Sequence, residues 1–408
     1  MNQLEFNKKH KSIGFTGLVA NIFSGNRLLD TNDTRSVRSI NSNFLGSTGF
    51  KFKYSSAKVI TDNEWVRAMV FLERAVKREQ SNWVQNKVKR VEFCCSKLSD
   101  QQLSELCNMI SKYPSVQSLT LTHAKDIRDW TPIRLLVNLK RLTLSYNKIV
   151  DITPLANLVN LERLDIMHNY IVDITPLAQL VNLKSLDIRW NNTVDITPLA
   201  QLVKLEELDI RWNGIVDITP LANLVKLETL DNNGNNVVDI TPLAQLVNLE
   251  TLDISNNKIV DITPLTNLVN LETLHIHSNN VVDIASLKHL VNLKKLDIHS
   301  NKIVDITPLK YIVNLERLNL GWNKIVDITL VKHLVNLKIL DIIMNKIVDI
   351  TPLAQLVNLE RLVIRNNQIV DITPLKHLVN LKTLDIRCNK VVDITPLKHL
   401  VITRFLSF

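Results

Sequence analysis

The segment Asn160–Val181 reads NLERLDIMHNYIVDITPLAQLV, and Asn248–Val269 repeats it as NLETLDISNNKIVDITPLTNLV. The same 22-residue pattern divides the chain from Asn138 to Val401 into twelve repeats, numbered 1 to 12 below. Apolar residues alternate along the L-x-x-L-x-L/I portion, which is the periodicity of a β-strand. Because so short a strand cannot bury its own apolar face, neighbouring repeats are expected to stack into a parallel sheet with strands about 4.8 Å apart.

Two polar residues recur in all twelve repeats. An asparagine follows each strand, from Asn147 to Asn389, and its inward amide is expected to pair with backbone groups at the bend. An aspartate comes four residues later, from Asp151 to Asp393, and opens an Asp-Ile-Thr-Pro-Leu segment that indicates a short 3₁₀ turn. Both residues are interpreted as structural. Since the 408 residues include only 8 glycines, the turns are expected to use Asn, Asp and 3₁₀ geometry in place of left-handed positions.

The repeat L-x-x-L-x-L-x-x-N-x-I/V-x-D-I-T-P-L-x-x-L resembles the 22-residue leucine-rich repeat of the internalins and of phosphatase-regulatory leucine-rich repeat subunits. The resemblance implies an α/β repeat solenoid, a leucine-rich repeat horseshoe with a concave parallel β-sheet and convex 3₁₀ turns. It also implies a protein that binds other proteins and does not catalyse a reaction.

Charge and motifs argue against several classes of function. The net charge is +9, but residues 1–114 carry 18 − 10 = +8 and the rest of the chain carries 31 − 30 = +1. The repeats therefore lack the basic stripe of a nucleic-acid-binding solenoid. No glycine-rich phosphate loop, paired CxxC or nucleophile–base motif occurs, so we expect no enzymatic activity and no cofactor. No apolar run of 18 residues predicts a membrane span, and four cysteines without paired or zinc spacing indicate reduced thiols in a cytoplasmic protein.

The chain outside the twelve repeats divides into three parts. Residues 1–85 form a basic segment with a helix near 62–80, in which Thr61 and Glu64 make a capping box. Residues 86–137 are two atypical capping repeats, the first with a helix whose capping box is Ser99 and Gln102. Residues 402–408 are a short tail expected to lie over the last repeat, and the exposed C-terminal edge predicts self-association.

A second, weaker resemblance lies in the N-terminal segment. The stretch 17–44 resembles an F-box, the helical module that recruits ubiquitin-ligase scaffolds, through Leu18, Ile22, Phe23, Leu28, Leu29 and Val37. This implies a helical N-terminal domain that would make the chain a substrate receptor of a ubiquitin ligase. The alternative is a helical cap preceded by a disordered leader within residues 1–60.

The candidate binding residues lie on the strand positions that alternate with the buried leucines. A column of aspartates includes Asp187 and Asp209, and arginines two residues further along are expected to pair with it. Exposed Trp beside Arg is typical of interface hot spots, although the tryptophans could simply cover the edge where strand meets turn. The predicted partner-binding residues are Tyr146, His168, Asp187, Arg189, Trp190, Asp209, Arg211, Trp212 and Trp322, and the arginines expected to pair are Arg189, Arg211, Arg365 and Arg387.

Two further features are singled out by their departure from the repeat. His275, His277, Asp297 and His299 occupy neighbouring strand positions and are a weak candidate for a zinc site, with drift from the Asp and Arg columns as the alternative. Asn232 replaces a buried strand residue in repeat 5 and is expected to be a weak point. The sequence as a whole predicts a protein–protein interaction scaffold, with an F-box-like receptor and a phosphatase regulatory subunit as alternatives.

Overall fold

A computed structural model of the chain describes residues 19–23, 29–30, 49–53, 65–66, 68–70, 72–73, 90–94 and 98–406. The chain divides into two compact units, an N-terminal unit of Met1–Asn147 and a C-terminal unit of Lys148–Phe408. No helix in the described ranges is long and apolar enough to cross a membrane.

The N-terminal unit contains a mixed sheet. Strand β1 pairs antiparallel with β2 and β3, and β3, β4, β5 and β6 then pair in parallel in chain order. The strands are β1 Val19–Phe23, β2 Leu29–Asp30, β3 Gly49–Lys53, β4 Arg90–Cys94, β5 Ser118–Thr122 and β6 Arg141–Thr143.

The capping helix α1 spans Asp100–Ser111, as its sequence predicts. Ser99 Oγ accepts a hydrogen bond from the Gln102 backbone N–H at 3.2 Å, and the Ser99 N–H donates to Gln102 Oε1 at 3.1 Å. This reciprocal pair satisfies two donors that the first helical turn would leave unpaired. The buried residues of the helix are Leu103, Leu106, Cys107 and Ile110, together with Gln102 of the capping box.

The N-terminal segment agrees with the prediction in one part and differs in another. Residues 65–66, 68–70 and 72–73 are helical, with Trp65 and Leu72 buried, and lie within the helix predicted near 62–80. The F-box resemblance implies helices over residues 17–44, but β1 and β2 are strands that pair with each other. The rest of that stretch, and most of the predicted leader 1–60, lie outside the described residues.

The C-terminal unit is a parallel sheet whose strands follow one another in chain order. Each strand of repeats 2 to 12 pairs with the next at an offset of one repeat, so that equivalent residues lie side by side. The strands are β7 Arg163–Asp165, β8 Ser185–Asp187, β9 Glu207–Asp209, β10 Thr229–Asp231, β11 Thr251–Asp253, β12 Thr273–His275, β13 Lys295–Asp297, β14 Arg317–Asn319, β15 Ile339–Asp341, β16 Arg361–Val363, β17 Thr383–Asp385 and β18 Arg404–Leu406.

The asparagine ladder is structural, as predicted. Asn191 Oδ1 accepts from the Ile171 N–H of the preceding repeat at 3.0 Å. Its Nδ2 donates to the Ile188 carbonyl at 2.9 Å and to the Ile166 carbonyl at 3.1 Å. One amide therefore fastens two neighbouring repeats through backbone groups that the bend would otherwise leave unpaired.

A 3₁₀ turn follows each strand on the opposite side of the solenoid. In repeat 2, Asp173 Oδ1 accepts from the Thr175 N–H at 2.8 Å, and the hydrogen bonds from Thr175 lower the pKa of Asp173. Ser286 and Leu330 replace proline in repeats 7 and 9, yet turns form at Ala285–His289 and Thr329–His333. The aspartate cap and the packing of a buried apolar residue, Leu287 in repeat 7 and Val331 in repeat 9, therefore suffice without proline.

The C-terminal tail extends the sheet by one strand beyond the last repeat. Strand β18 pairs in parallel with β17, placing Phe405 opposite Leu384. Phe405 remains 37% exposed, whereas Leu384 is fully buried. Phe408, the last residue of the tail, lies outside the described residues.

Candidate partner-binding face

The aspartates of repeats 2 to 6 form an unbroken column across five strands. Parallel pairing aligns Asp165, Asp187, Asp209, Asp231 and Asp253 in register. The Oδ1 atom of each accepts a hydrogen bond from the backbone N–H two residues later, at distances between 2.9 and 3.2 Å. The column is therefore held in place by the strands that carry it.

Two arginines link three of these carboxylates in a zigzag. Arg189 lies 3.1 Å from Asp187 and 3.2 Å from Asp209, and Arg211 lies 2.6 Å from Asp209 and 3.1 Å from Asp231. Each guanidinium therefore joins a carboxylate of its own repeat to one of the next, as predicted for Arg189 and Arg211. Arg365, which was also expected to pair with the aspartates, does not join two carboxylates.

Burial and mutual repulsion change the protonation of the column. The pKa of Asp187 is raised to about 7 by burial and by the charges of Asp209 and Asp165, which outweigh its ion pair with Arg189. Burial and the charge of Asp253 likewise raise the pKa of Asp231 to about 7. Two carboxyl groups on this face therefore titrate close to neutral pH.

A row of stacked rings runs beside the arginines. The His168 and Trp190 rings stack at 5.4 Å between centroids, and the Trp190 and Trp212 rings stack at 5.0 Å, with interplanar angles of 12° and 14°. Trp190 is 45% exposed and Trp212 is 43% exposed. Because these rings stack on one another, they present mainly their edges, and the row forms an apolar ridge. We call His168, Trp190 and Trp212 the aromatic row.

Gly234 closes the row in repeat 5. A Cβ atom at Gly234 would lie 2.5 Å from Cδ2 of Trp212, a distance that no ordinary contact allows. Absence of a side chain at Gly234 is therefore what lets the Trp212 ring lie over the next repeat.

The rings stand on left-handed backbone, contrary to the expectation that the turns avoid it. Trp190 has φ of 55° and Trp212 has φ of 54°. The equivalent residues with positive φ are His123, Tyr146, His168, Gly234, Asn256, Ser278, Ser300, Trp322, Met344, Asn366 and Cys388. The Trp190 N–H donates to the Arg211 carbonyl at 2.9 Å, so the chain leaves the strand while inter-repeat pairing continues. This ladder offsets the cost of a left-handed residue, about 1–2 kcal/mol.

Comparison with solved structures identifies the fold family. An internalin (InlF) from Listeria monocytogenes is 33% identical, with a TM-score of 0.70, over 82% of this chain and 94% of that chain. The chain belongs to the leucine-rich repeat family. The family model for leucine-rich repeats (2 copies) matches residues 137–179, 159–201, 225–267, 269–311 and 357–399.

Other leucine-rich repeat structures share the fold at lower identity. A leucine-rich repeat protein from Leptospira interrogans is 24% identical, with a TM-score of 0.67, over 75% of this chain and 85% of that chain. A plant peptide hormone receptor, solved in complex with RGF2, is 18% identical, with a TM-score of 0.60, over 75% and 58% of the two chains. None of the curated proteins matches this leucine-rich repeat chain.

Two other predicted residues, Tyr146 and Trp322, are not among the three that define the aromatic row of this leucine-rich repeat protein. Tyr146 belongs to the N-terminal unit, where its ring stacks on His123 at 4.9 Å. Trp322 has the same left-handed backbone in repeat 9 and is 52% exposed, but Ser300 and Met344 occupy the equivalent positions on either side. Trp322 therefore stands alone.

The histidine cluster does not converge on a metal ion. The rings of His277 and His299 stack at 4.3 Å, so their faces and not their nitrogens meet. His299 Nδ1 lies 2.6 Å from Asp297 Oδ1, and His275 Nδ1 lies 3.6 Å from Asp253 Oδ2. Among the residues described, no group of three or more His, Cys, Asp or Glu could hold a metal. The carboxylates of the aspartate column pair with the histidines, as they pair elsewhere with arginines.

Proposed function

We propose that this leucine-rich repeat chain is a non-catalytic interaction protein that binds a protein partner on the concave face of repeats 2 to 6. The observation that carries the proposal is the aromatic row beside the Arg–Asp zigzag. Aromatic and arginine side chains dominate binding energy at protein interfaces, especially where neighbouring residues already fix them. Trp190 and Trp212 are held by stacking and Arg189 by two carboxylates, so little side-chain freedom is lost on binding.

Trp322 supplies a matched control for the test. It has the same repeat position and backbone conformation as Trp190 and a similar exposure, but lies outside the aromatic row. Affinity capture with the full chain should recover a set of proteins that Trp322→Ala retains and the double variant Trp190→Ala, Trp212→Ala loses. Equal recovery by all three proteins would refute the role of the row.

The other functional predictions have less support. The strands β1 and β2 do not favour the F-box alternative, and no observation favours a phosphatase regulatory role. Self-association through the C-terminal edge stays a prediction, which light scattering of the full chain would test. We also propose a cytoplasmic location, supported by the free thiols of Cys107 and Cys388 and testable with a fluorescent fusion.

A further inference from the structure

Three repeats share an Asp-x-Arg strand in which the arginine pairs with the aspartate two residues before it. Arg189 pairs with Asp187 at 3.1 Å, and Arg211 pairs with Asp209 through Nε and Nη2. In repeat 12, Arg387 donates from Nε to Asp385 Oδ1 at 2.9 Å and from Nη2 to Oδ2 at 2.6 Å. The backbone of this strand therefore places a carboxylate within reach of the guanidinium, in a two-point contact for Arg211 and Arg387.

Repeat 11 keeps the arginine and loses its carboxylate. Val363 stands where the other three repeats have aspartate, and Arg365 Nε is buried without a hydrogen-bond partner. Arg365 forms no ion pair with any residue that the structure describes. A buried donor left without a partner is unfavourable, and a ligand supplying an acceptor to the guanidinium would relieve that cost.

The carboxylates on the two neighbouring strands already have other hydrogen-bond partners. Asp385 is held by Arg387, whose hydrogen bonds, with the charges of Arg387 and Arg365, lower the pKa of Asp385 despite its burial. Asp341 accepts from the Ile343 N–H at 3.0 Å, and burial raises its pKa. Neither therefore replaces the missing partner of Arg365.

Arg365 has apolar neighbours on its own strand and on the preceding one, while Asp341 and Asp385 flank Val363 on the two adjacent strands. Val363 is only 6% exposed, and Ile343 occupies the position of Arg365 on the preceding strand, about 4.8 Å away. Ile343 leans over Gly321, where a Cβ atom would lie 2.5 Å from its Cγ2. A charged hydrogen bond formed beside such apolar side chains is stronger than one formed in open water.

We propose that Arg365, Val363 and Ile343 form a second binding site on the concave face, which takes an acidic side chain of a protein partner together with an adjacent apolar residue. The partner's carboxylate replaces the absent aspartate on the guanidinium of Arg365. Its apolar neighbour covers Val363 and Ile343. The exposed Arg361 on the same strand adds positive charge at the rim. This site lies in repeats 10 and 11 and does not depend on the aromatic row.

The test uses the full chain with ¹³C-labelled isoleucine and valine methyl groups and the probe peptide acetyl-Leu-Glu-Leu-amide. We expect a saturable shift of the Ile343 and Val363 methyl signals, and at least a tenfold weaker affinity for the matched peptide acetyl-Leu-Gln-Leu-amide. The variant Val363→Asp rebuilds the Asp-x-Arg pair of repeats 3, 4 and 12. It should bind the Glu peptide at least tenfold more weakly while keeping the methyl spectrum of the other repeats.

A second variant keeps the proposal open to refutation if Val363→Asp unfolds locally. Arg365→Gln removes the charge at the half-buried end of a strand and should also weaken binding at least tenfold, while Lys226→Gln, at an exposed position of repeat 5, should leave it unchanged. No saturable shift at Ile343, equal affinity for the Glu and Gln peptides, or full binding by Arg365→Gln would each overturn the proposal.

Discussion

Asn232 provides a sharp test of how the solenoid is stabilised. It is fully buried at a strand position that isoleucine occupies in the repeats on either side, as Ile210 and Ile254. Its Nδ2 has no hydrogen-bond partner, and its Oδ1 accepts from Asn235 Nδ2 at 2.6 Å. Asn232→Ile removes the unpaired donor and buries an apolar side chain. Asn235 keeps its bond to the Ile210 carbonyl at 3.0 Å.

The expected stabilisation follows from three contributions. Removing a buried unpaired donor gains about 1–3 kcal/mol, burying isoleucine gains about 1.5–3 kcal/mol, and losing the Asn235 bond costs about 1 kcal/mol. We therefore expect a net gain of about 1.5–5 kcal/mol in local stability. Because repeat proteins are stabilised by nearest-neighbour interfaces, the gain should appear in the repeats around repeat 5.

Equilibrium urea unfolding, followed by tryptophan fluorescence, measures the effect, since Trp212 lies in the repeat before Asn232. Hydrogen exchange of the amides of Leu230 and Leu252 locates it in the chain. The reciprocal change Ile254→Asn is the matched control and should destabilise by a similar amount. If Asn232→Ile leaves the midpoint and exchange unchanged, or lowers either, the reasoning about the unpaired amide is wrong.

Two further predictions concern the partner-binding face. Gly234→Ala should displace the Trp212 ring, shift its fluorescence and reduce partner capture, whereas Ser278→Ala at the equivalent position of repeat 7 should change neither. The folded-state pKa of Asp231, about 7, lies above its ordinary value of 3.8, so its contribution to stability is present below about pH 4 and lost as the pH rises through 7. Asp231→Asn should therefore gain urea resistance over the unmodified chain at about pH 8 and not at about pH 4; an equal difference at both would contradict the assigned pKa.

Much of the fold follows from periodicity alone. The period-2 leucine pattern places the strands, and the fixed 22-residue interval forces parallel register, because any other offset would move leucines out of the core. The capping box at Ser99 locates helix α1 for a similarly local reason. The left-handed positions could not be predicted in this way. Tryptophan does not favour that backbone, and only the hydrogen bond from Trp190 to the next repeat makes it acceptable.

Some features of the partner-binding face could likewise be predicted from the sequence, and others could not. Columns of Asp and Arg could be predicted, since residues at one repeat position must lie side by side. Stacking of Trp190 on Trp212 could not, because it depends on side-chain rotation and on the space that Gly234 leaves open. The orientation of the histidine rings could not be predicted for a related reason: His277 and His299 share a column, but their ring faces meet.

The departures from the repeat are most informative when the face of the sheet that each residue occupies is taken into account. Asn232 and Arg365 each carry a polar group without a partner, yet they face opposite sides of the sheet. Asn232 lies among the inward leucines, where no ligand can reach its amide, so the missing partner can only lower stability. Arg365 lies on the concave face, where an incoming carboxylate can supply what Val363 does not. The same kind of defect is therefore a structural weakness on one face and the basis of a binding site on the other.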